Sequence, residues 1–327
     1  MSNKQPASQS VGYLKRDVGK KIKAVALIGV GAATVRQIFK SGPPERTITR
    51  RIAELDPVED HQKIAYLLSC YEFPWDIERS LEFALFRTYA VPSISGLLHQ
   101  TGEFTQRPRK RYDDTELILS EILEHGYDSE RGRAALRRMN QMHGRYAISN
   151  DDFLYVLSTF VYEPIRWIER FGWRALTEAE KLAMFHYYRQ VGRRMNIKNI
   201  PESYEAFEQF NINYERTHFQ YAPANYEVGV ATRDLFLGMY LPKFLWPLAK
   251  PLVYAMMDEP LLDGFAFPKP PPLLRRLMQG ALKWRGKALR WLPERQTPHL
   301  LTQVKRPTYP EGYKIEELGT FPCPMRK

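Results

Sequence analysis

The apolar residues of this chain recur at spacings of three and four almost throughout, and no segment sustains the alternation that a half-buried strand requires. Helix punctuation is equally dense. Asp56-Pro57-Val58-Glu59 and Thr177-Glu178-Ala179-Glu180 both have the form of a capping box. A helix is predicted from Trp75 to Val91, stopped by Pro92. Asp113-Asp114-Thr115-Glu116 opens another, which ends at His125-Gly126. The spacing predicts a further helix over 129–146, and Asn150 caps one that runs to Phe171-Gly172. The segment led by Thr177 reaches about Met195, and 202–214 and 227–240 also have helical spacing. No repeat period is present. These observations predict an all-α protein with a single large helical domain, globin-like in general character.

Composition narrows the class. The chain has 327 residues, 44% of them hydrophobic and 13% aromatic, which excludes wholesale disorder. Its two cysteines, Cys70 and Cys323, are too far apart in sequence to suggest a disulfide framework or a zinc cluster, and fit a reducing compartment. The net charge of +11 is uneven: residues 1–51 carry eleven Lys/Arg against two Asp/Glu, and residues 272–327 carry twelve against four. The middle of the chain is acidic. Basic ends on an acidic body suit an anionic membrane surface better than nucleic acid.

Three stretches bear on membranes. Residues 24–33, AVALIGVGAA, follow a lysine cluster but are too short to span a bilayer, and Asp17 precedes them, so secretion is not expected. Residues 235–257 are apolar but carry Lys243, Lys250, Pro242, Pro247 and Pro251, which argue against a spanning helix. They read as core or as a membrane-dipping surface. In 272–292, Leu273, Leu274, Leu277, Ala281, Trp284, Ala288 and Trp291 share one half of a helical wheel. Arg275, Arg276, Lys283, Lys287 and Arg290 occupy the other half, with Arg285 out of place. This is a membrane-surface helix, or a helix docked on the body with a solvated basic face. The chain thus divides into a basic segment 1–50 that is a possible weak anchor, a helical catalytic body 51–271, an amphipathic helix 272–293, and a tail 294–327. Residues 267–272 and the tail read as linker-like.

Several motifs are set aside. Gly29-Val30-Gly31-Ala32-Ala33-Thr34 begins like a dinucleotide fingerprint but lacks its third glycine and a following strand–helix alternation. Glu215-Arg216-Thr217-His218 is the only Glu-x-x-His, so a paired di-iron site is incomplete. His186, among aromatics, reads as a core histidine.

His143 is the candidate centre. It shares the stripe Leu136, Met139, His143, Tyr146 and follows Arg137 and Arg138. An imidazole there is either a core histidine bonded to a carbonyl or an axial ligand to haem iron, with Met139 against the macrocycle and the arginines on its propionates. Spacing alone does not choose. The neighbouring sequence does. His143-Gly-Arg-Tyr-Ala-Ile-Ser-Asn-Asp-Asp-Phe-Leu-Tyr155 is followed by Glu163-Pro-Ile-Arg-Trp167, then Tyr188-Arg-Gln-Val-Gly-Arg-Arg-Met-Asn-Ile197 and Ile200-Pro-Glu-Ser-Tyr204. In order and spacing these segments resemble the haem-dependent oxygenase family of rubber oxygenase (latex-clearing protein) and the MpaB-type oxygenases of mycophenolic acid biosynthesis, closer to the latter. The resemblance covers about residues 50–297.

The resemblance implies a pocket for haem b, held by His143 and flanked by Arg137, Arg138 and Met139, with O₂ as co-substrate. It implies oxidative cleavage or oxygenation of carbon–carbon double bonds in a long apolar, isoprenoid-like molecule. It also places Arg87-Thr88 where rubber oxygenase has a lysine–threonine pair above the iron; an arginine there donates hydrogen bonds but does not ligate metal, and the other reading of Arg87 is a salt bridge to a nearby acid such as Glu82 or Glu78. The implied partners are the apolar substrate and a membrane on its cytoplasmic face, with no nucleic acid. The different class kept beside it is a non-catalytic, membrane-associated lipid- or haem-binding helical protein.

Overall fold

Proline and small polar caps set most helix starts in the folded chain. The computed structural model describes residues 46–320. The apolar run 24–33, the glycine motif at 29–34 and Cys323 lie outside them. In chain order the helices are α1 (Thr47–Ala53), α2 (His61–Leu67), α3 (Pro74–Thr88), α4 (Pro92–Gln100), α5 (Glu103–Gln106), α6 (Pro108–His125) and α7 (Glu130–His143). They continue with α8 (Asn150–Phe171), α9 (Glu178–Arg194), α10 (Tyr204–His218), α11 (Pro223–Tyr240), α12 (Trp246–Met256), α13 (Glu259–Phe265) and α14 (Pro272–Leu289). A π-helical turn, Leu68–Glu72, joins α2 to α3. Among the described residues there is no strand beyond one isolated Arg306–Tyr309 bridge, so the fold is all-α. Among them, too, no helix is long and apolar enough to cross a membrane.

The longest helix, α8, is the axis of the core. Ser149 caps it by accepting from Asp152 N at 3.0 Å, and its buried face runs from Leu154 through Val161 to Phe171. α3 packs along α8, and α9 and α10 lie against it. α3 also joins two apolar clusters: Ile77 sits in the larger one, and Phe86 in a second with Val228, Leu262 and Phe265. Burying side chains of this size stabilises by about 1.5–3 kcal/mol each, so α3 is held at both ends by packing. α6 and α7 pack closely because Gly132 is a glycine: a Cβ there would lie 2.0 Å from Gly126 O.

Three local expectations are corrected. Asp56 does not start a helix; its carboxylate takes Val58 N and Glu59 N at 2.8 and 2.9 Å in a turn, and α2 begins at His61. α6 begins at Pro108, so Asp113 and Asp114 are buried mid-helix rather than capping. Ser149, not Asn150, caps α8. The 235–257 stretch, expected not to form a spanning helix, is divided between the end of α11, a short 3-10 turn and α12, with Pro247 in the first turn of α12 and Pro251 inside it.

The segment after Pro293 is not a linker where it is described. Arg306 pairs with Asp113 at 3.4 Å and also with Glu116, while Thr308 Oγ1 donates to Asp113 at 2.6 Å. Tyr313 OH donates to Glu121 at 2.6 Å, and Leu301 N to Glu124 at 2.6 Å. The carboxylates of α6 thus hold the described part of the tail, in which Leu318 is fully buried.

Candidate functional site

Ser129 caps α7, accepting from Gly132 N at 2.9 Å, and the helix ends on His143. Leu136 and Met139, two turns and one turn earlier, are buried in the larger cluster. Tyr146 lies beyond the helix end in a turn, its N–H donating to His143 O at 3.1 Å, so the expected four-residue stripe is three residues long. The His143 ring meets Phe153 edge-on, centroids 5.3 Å apart. Its Nδ1 is buried and has no hydrogen-bond partner. Burial, reinforced by the Arg111 guanidinium, pushes its pKa down to about 4. The imidazole is therefore neutral at physiological pH, with a lone pair free to bind a Lewis acid. At this nitrogen the carbonyl bond of the core-histidine alternative is not made.

The flanking arginines diverge. Arg138 is buried and clamps the C-terminal segment, Nε to Leu318 O at 2.7 Å and Nη2 to Thr320 O at 3.2 Å. Arg137 is exposed. Of the three neighbours expected beside a cofactor, Met139 and Arg138 are buried with His143 and Arg137 is not.

Arg87 and Thr88 have other partners. Arg87 Nε donates to Glu215 Oε1 at 2.8 Å and Nη1 to Asp258 Oδ2 at 2.6 Å, with Glu163 at 3.6 Å. Tyr155 OH also donates to Glu215, at 3.1 Å. Burial works against the Arg87 charge, but the three carboxylates outweigh it and hold the pKa above its ordinary value. Thr88 Oγ1 donates back along its own helix to Leu85 O at 2.7 Å. Neither side chain hydrogen-bonds His143. The salt bridge weighed for Arg87 from sequence is real, but its partners come from α8, α10 and the α13 cap rather than from Glu78 or Glu82.

What sequence reading missed is α6. Arg111 acts on His143 through its charge, and its Nη1 donates to Thr115 Oγ1 one turn later. Thr115 in turn lines a largely apolar cavity of about 80 Å³ between α3, α6 and α9, walled by Ile77, Leu81, Leu119 and Tyr187. His143 does not line it. Glu82 does; burial pushes its carboxyl up to about 8 despite Arg79 beside it and a hydrogen bond from Tyr112 OH at 2.7 Å. The spacing Tyr112, Thr115, Leu119, Leu123 was a helical stripe visible in the sequence. Reading Asp113 as a cap hid it.

The other histidines are engaged elsewhere. His218 stacks on Tyr214 at 3.9 Å, and His186 is half-buried against Phe185 at 5.2 Å. Among the described residues no three His, Cys, Asp or Glu side chains converge as a metal site, so His143 is a single ligand candidate. A lone neutral nitrogen donor could hold a metal-containing group that brings its own remaining ligands.

Residues 84–291 match the family described as ER-bound oxygenase mpaB/B'/rubber oxygenase, catalytic domain. The chain is similar to the ER-bound oxygenase mpaB' of Penicillium brevicompactum, 31% identical over 240 residues, 68% of this chain and 56% of that protein. The ER-bound oxygenase mpaB of the same fungus is 37% identical over 145 residues, 42% of this chain and 37% of the relative. The mpaB of Penicillium roqueforti (strain FM164) is 29% identical over 215 residues, 60% and 72% respectively. The chain thus spans little more than half of the first of these relatives and less of the second.

Proposed function

This chain belongs to the mpaB and rubber oxygenase catalytic-domain family, and from that membership we propose that it is an oxygenase using haem b and O₂ on carbon–carbon double bonds of a long apolar substrate. The observation that carries the reading is the buried, unpartnered Nδ1 of His143 on a ring kept neutral. When bound, haem supplies the oxygen activation that no amino-acid side chain provides. The protein's part is more limited. His143 holds the group at the end of a capped helix. Phe153, Met139 and Leu136 give that end an apolar wall that excludes water. Arg111 stands as the nearby cation, able to favour negative charge on a bound anion or oxygen.

The absorbance spectrum of protein purified from haem-supplemented cells tests this. A Soret band is expected, lost in His143→Ala while far-ultraviolet circular dichroism stays helical. Haem-loaded parent protein should consume O₂ with a long polyene. A His143→Ala protein with full haem occupancy overturns the ligand assignment. Haem-loaded protein that consumes no O₂ with any polyene leaves the non-catalytic lipid- or haem-binding role in its place.

A further inference from the structure

We propose that α12 and α14 together form a docking face for an anionic phospholipid bilayer, separate from the chemistry at His143. Gly286 lies so close to the end of α8 that a Cβ would fall 2.4 Å from Phe171 O. Arg285 pairs with Asp76 at 2.9 Å and lies 3.7 Å over the Trp75 ring. Leu282 packs on the larger core cluster, and Arg46 Nη2 donates to Leu289 O at 2.8 Å. Thus the body holds α14 through Leu282, Arg285, Gly286 and Leu289. Arg285, the residue out of place on the sequence wheel, is its anchor.

The apolar stripe is a different face. Leu273, Leu277 and Trp284, four and seven residues apart, are 66%, 61% and 73% exposed. A helix docked through its apolar side would bury these residues, and α14 does not. α12, which packs against α14, has its own outward stripe: Phe244 in the turn before it and Leu248 are 77% and 75% exposed, and Leu252 follows one turn later. Single exposed leucines are ordinary, but two packed helices each presenting such a stripe form a patch that needs a partner.

Charge decides which partner. Arg276, Lys283, Lys287 and Arg290 form an exposed stripe beside the apolar one on α14, and none of them has an ion-pair partner among the described residues. Lys243 is likewise exposed next to Phe244. No Asp or Glu occurs between Asp234 and Asp258, or between Asp263 and Glu294. A second copy of this chain would bring the same cations against themselves, which opposes a two-fold contact through this face. Anionic headgroups neutralise them, while Leu273, Leu277, Trp284, Phe244 and Leu248 enter the acyl boundary. Trp284 is the type of side chain that prefers that boundary.

The test uses the full chain and flotation with phosphatidylcholine vesicles containing no phosphatidylserine or about 30 mol% of it. Binding should need phosphatidylserine and weaken as salt rises from about 0.05 to 0.5 M. Leu273→Ser, Leu277→Ser and Trp284→Ser combined should lower affinity roughly tenfold or more, as should Lys283→Gln, Lys287→Gln and Arg290→Gln combined. Circular dichroism checks that both variants keep the parent fold. Trp284→Phe should still bind but lose much of the fluorescence quenching by brominated lipids, which places this helix at the bilayer. A parent that does not float, a serine variant that floats like the parent, or Trp284→Phe quenched like the parent overturns the proposal. So does a parent dimer that the serine variant converts to monomer, because a second copy is then the occupant. None of these outcomes depends on haem.

Discussion

Arg87 and His143 stand at opposite ends of polar satisfaction in this protein. Arg87 on α3 has three carboxylates around it from three other elements, and one of them is further held by Tyr155. His143 on α7 has a buried nitrogen with no partner and a cation, Arg111, acting against its protonation. Both lie in the matched family region, and both were candidate site residues on sequence grounds. The contrast separates them physically. A buried polar group with every partner supplied belongs to the fold, whereas one with none is a candidate binding position. Orphaned nitrogens on Arg46, Arg79, Arg174, Arg189 and Arg306 are a weaker case, because each of those guanidinium groups is paired through other atoms.

The sharpest way to break this contrast is to remove Arg87. Arg87→Ala leaves the half-buried Glu215 and Glu163 around a missing cation, though Glu163 keeps Arg166; the change should cost about 2–3 kcal/mol, less than the roughly 3–5 kcal/mol of fully buried pairs. Denaturant unfolding of haem-free protein should show a loss of that size with an unchanged slope. A loss below about 1 kcal/mol, accompanied by weaker oxygen consumption, would return Arg87 to the oxygen site and erase the distinction from His143.

A smaller effect is expected from the proton on His143. Its pKa is ordinarily 6.5 and is pushed down to about 4 in the fold. Between those values the unfolded chain binds more protons than the native one. Stability therefore rises with pH across that window, and falls as pH drops from 6.5 toward 4. Two and a half pH units correspond to at most about 3 kcal/mol, and partial exposure of the ring brings this nearer 2. Glu82 has the opposite sign. Its carboxyl is raised from 4.5 to about 8, so its contribution is present below 4.5 and lost as pH rises through 8. Comparing parent with His143→Leu at about pH 5 and 7.5 isolates the histidine. The variant should lose less stability at the lower pH, and identical pH dependence in the two proteins would mean that the ring is not buried in its neutral form.

Local signals were legible where the cause was local. The Thr177–Glu180 capping box, Pro92 as the stop after α3, Gly126 after α6 and the whole of α8 follow from neighbours within a few residues. His143 was legible for the same reason, its stripe and flanking words lying within one helix and the turn after it. Reading failed where the partner is distant. Asp113 reads as a cap, but its carboxylate is taken by Arg306 and Thr308, nearly two hundred residues further on. The tail reads as linker-like because its polar residues carry no periodicity, yet those residues are what α6 holds. Arg111 was missed because its nearness to His143 arises only when α6 and α7 pack at Gly132. On α14 the wheel gave the right stripes but not which face meets the body, since that choice is made by Asp76 and Trp75 on α3 and by the end of α8.

The finest test of the contrast is Thr88→Val, which keeps shape and removes one hydroxyl. In the structure that hydroxyl donates to Leu85 O within α3 and to nothing else, in a buried setting. Valine takes away the donor and leaves Leu85 O without it, because Tyr89 N at the helix end donates to Phe86 O at 3.2 Å instead. Stability should fall by about 1–2 kcal/mol, while haem content and oxygen consumption change by less than about twofold. The resemblance to rubber oxygenase implies a different result, since there the matching threonine lies over the iron. If Thr88→Val kept its Soret band but turned over about tenfold more slowly, the hydroxyl would leave Leu85 O during the reaction, and α3 rather than α6 would supply the group facing oxygen. An unchanged rate places the α3 pair with the fold. Arg111→Gln would then be the variant in which oxygen consumption falls while haem is retained.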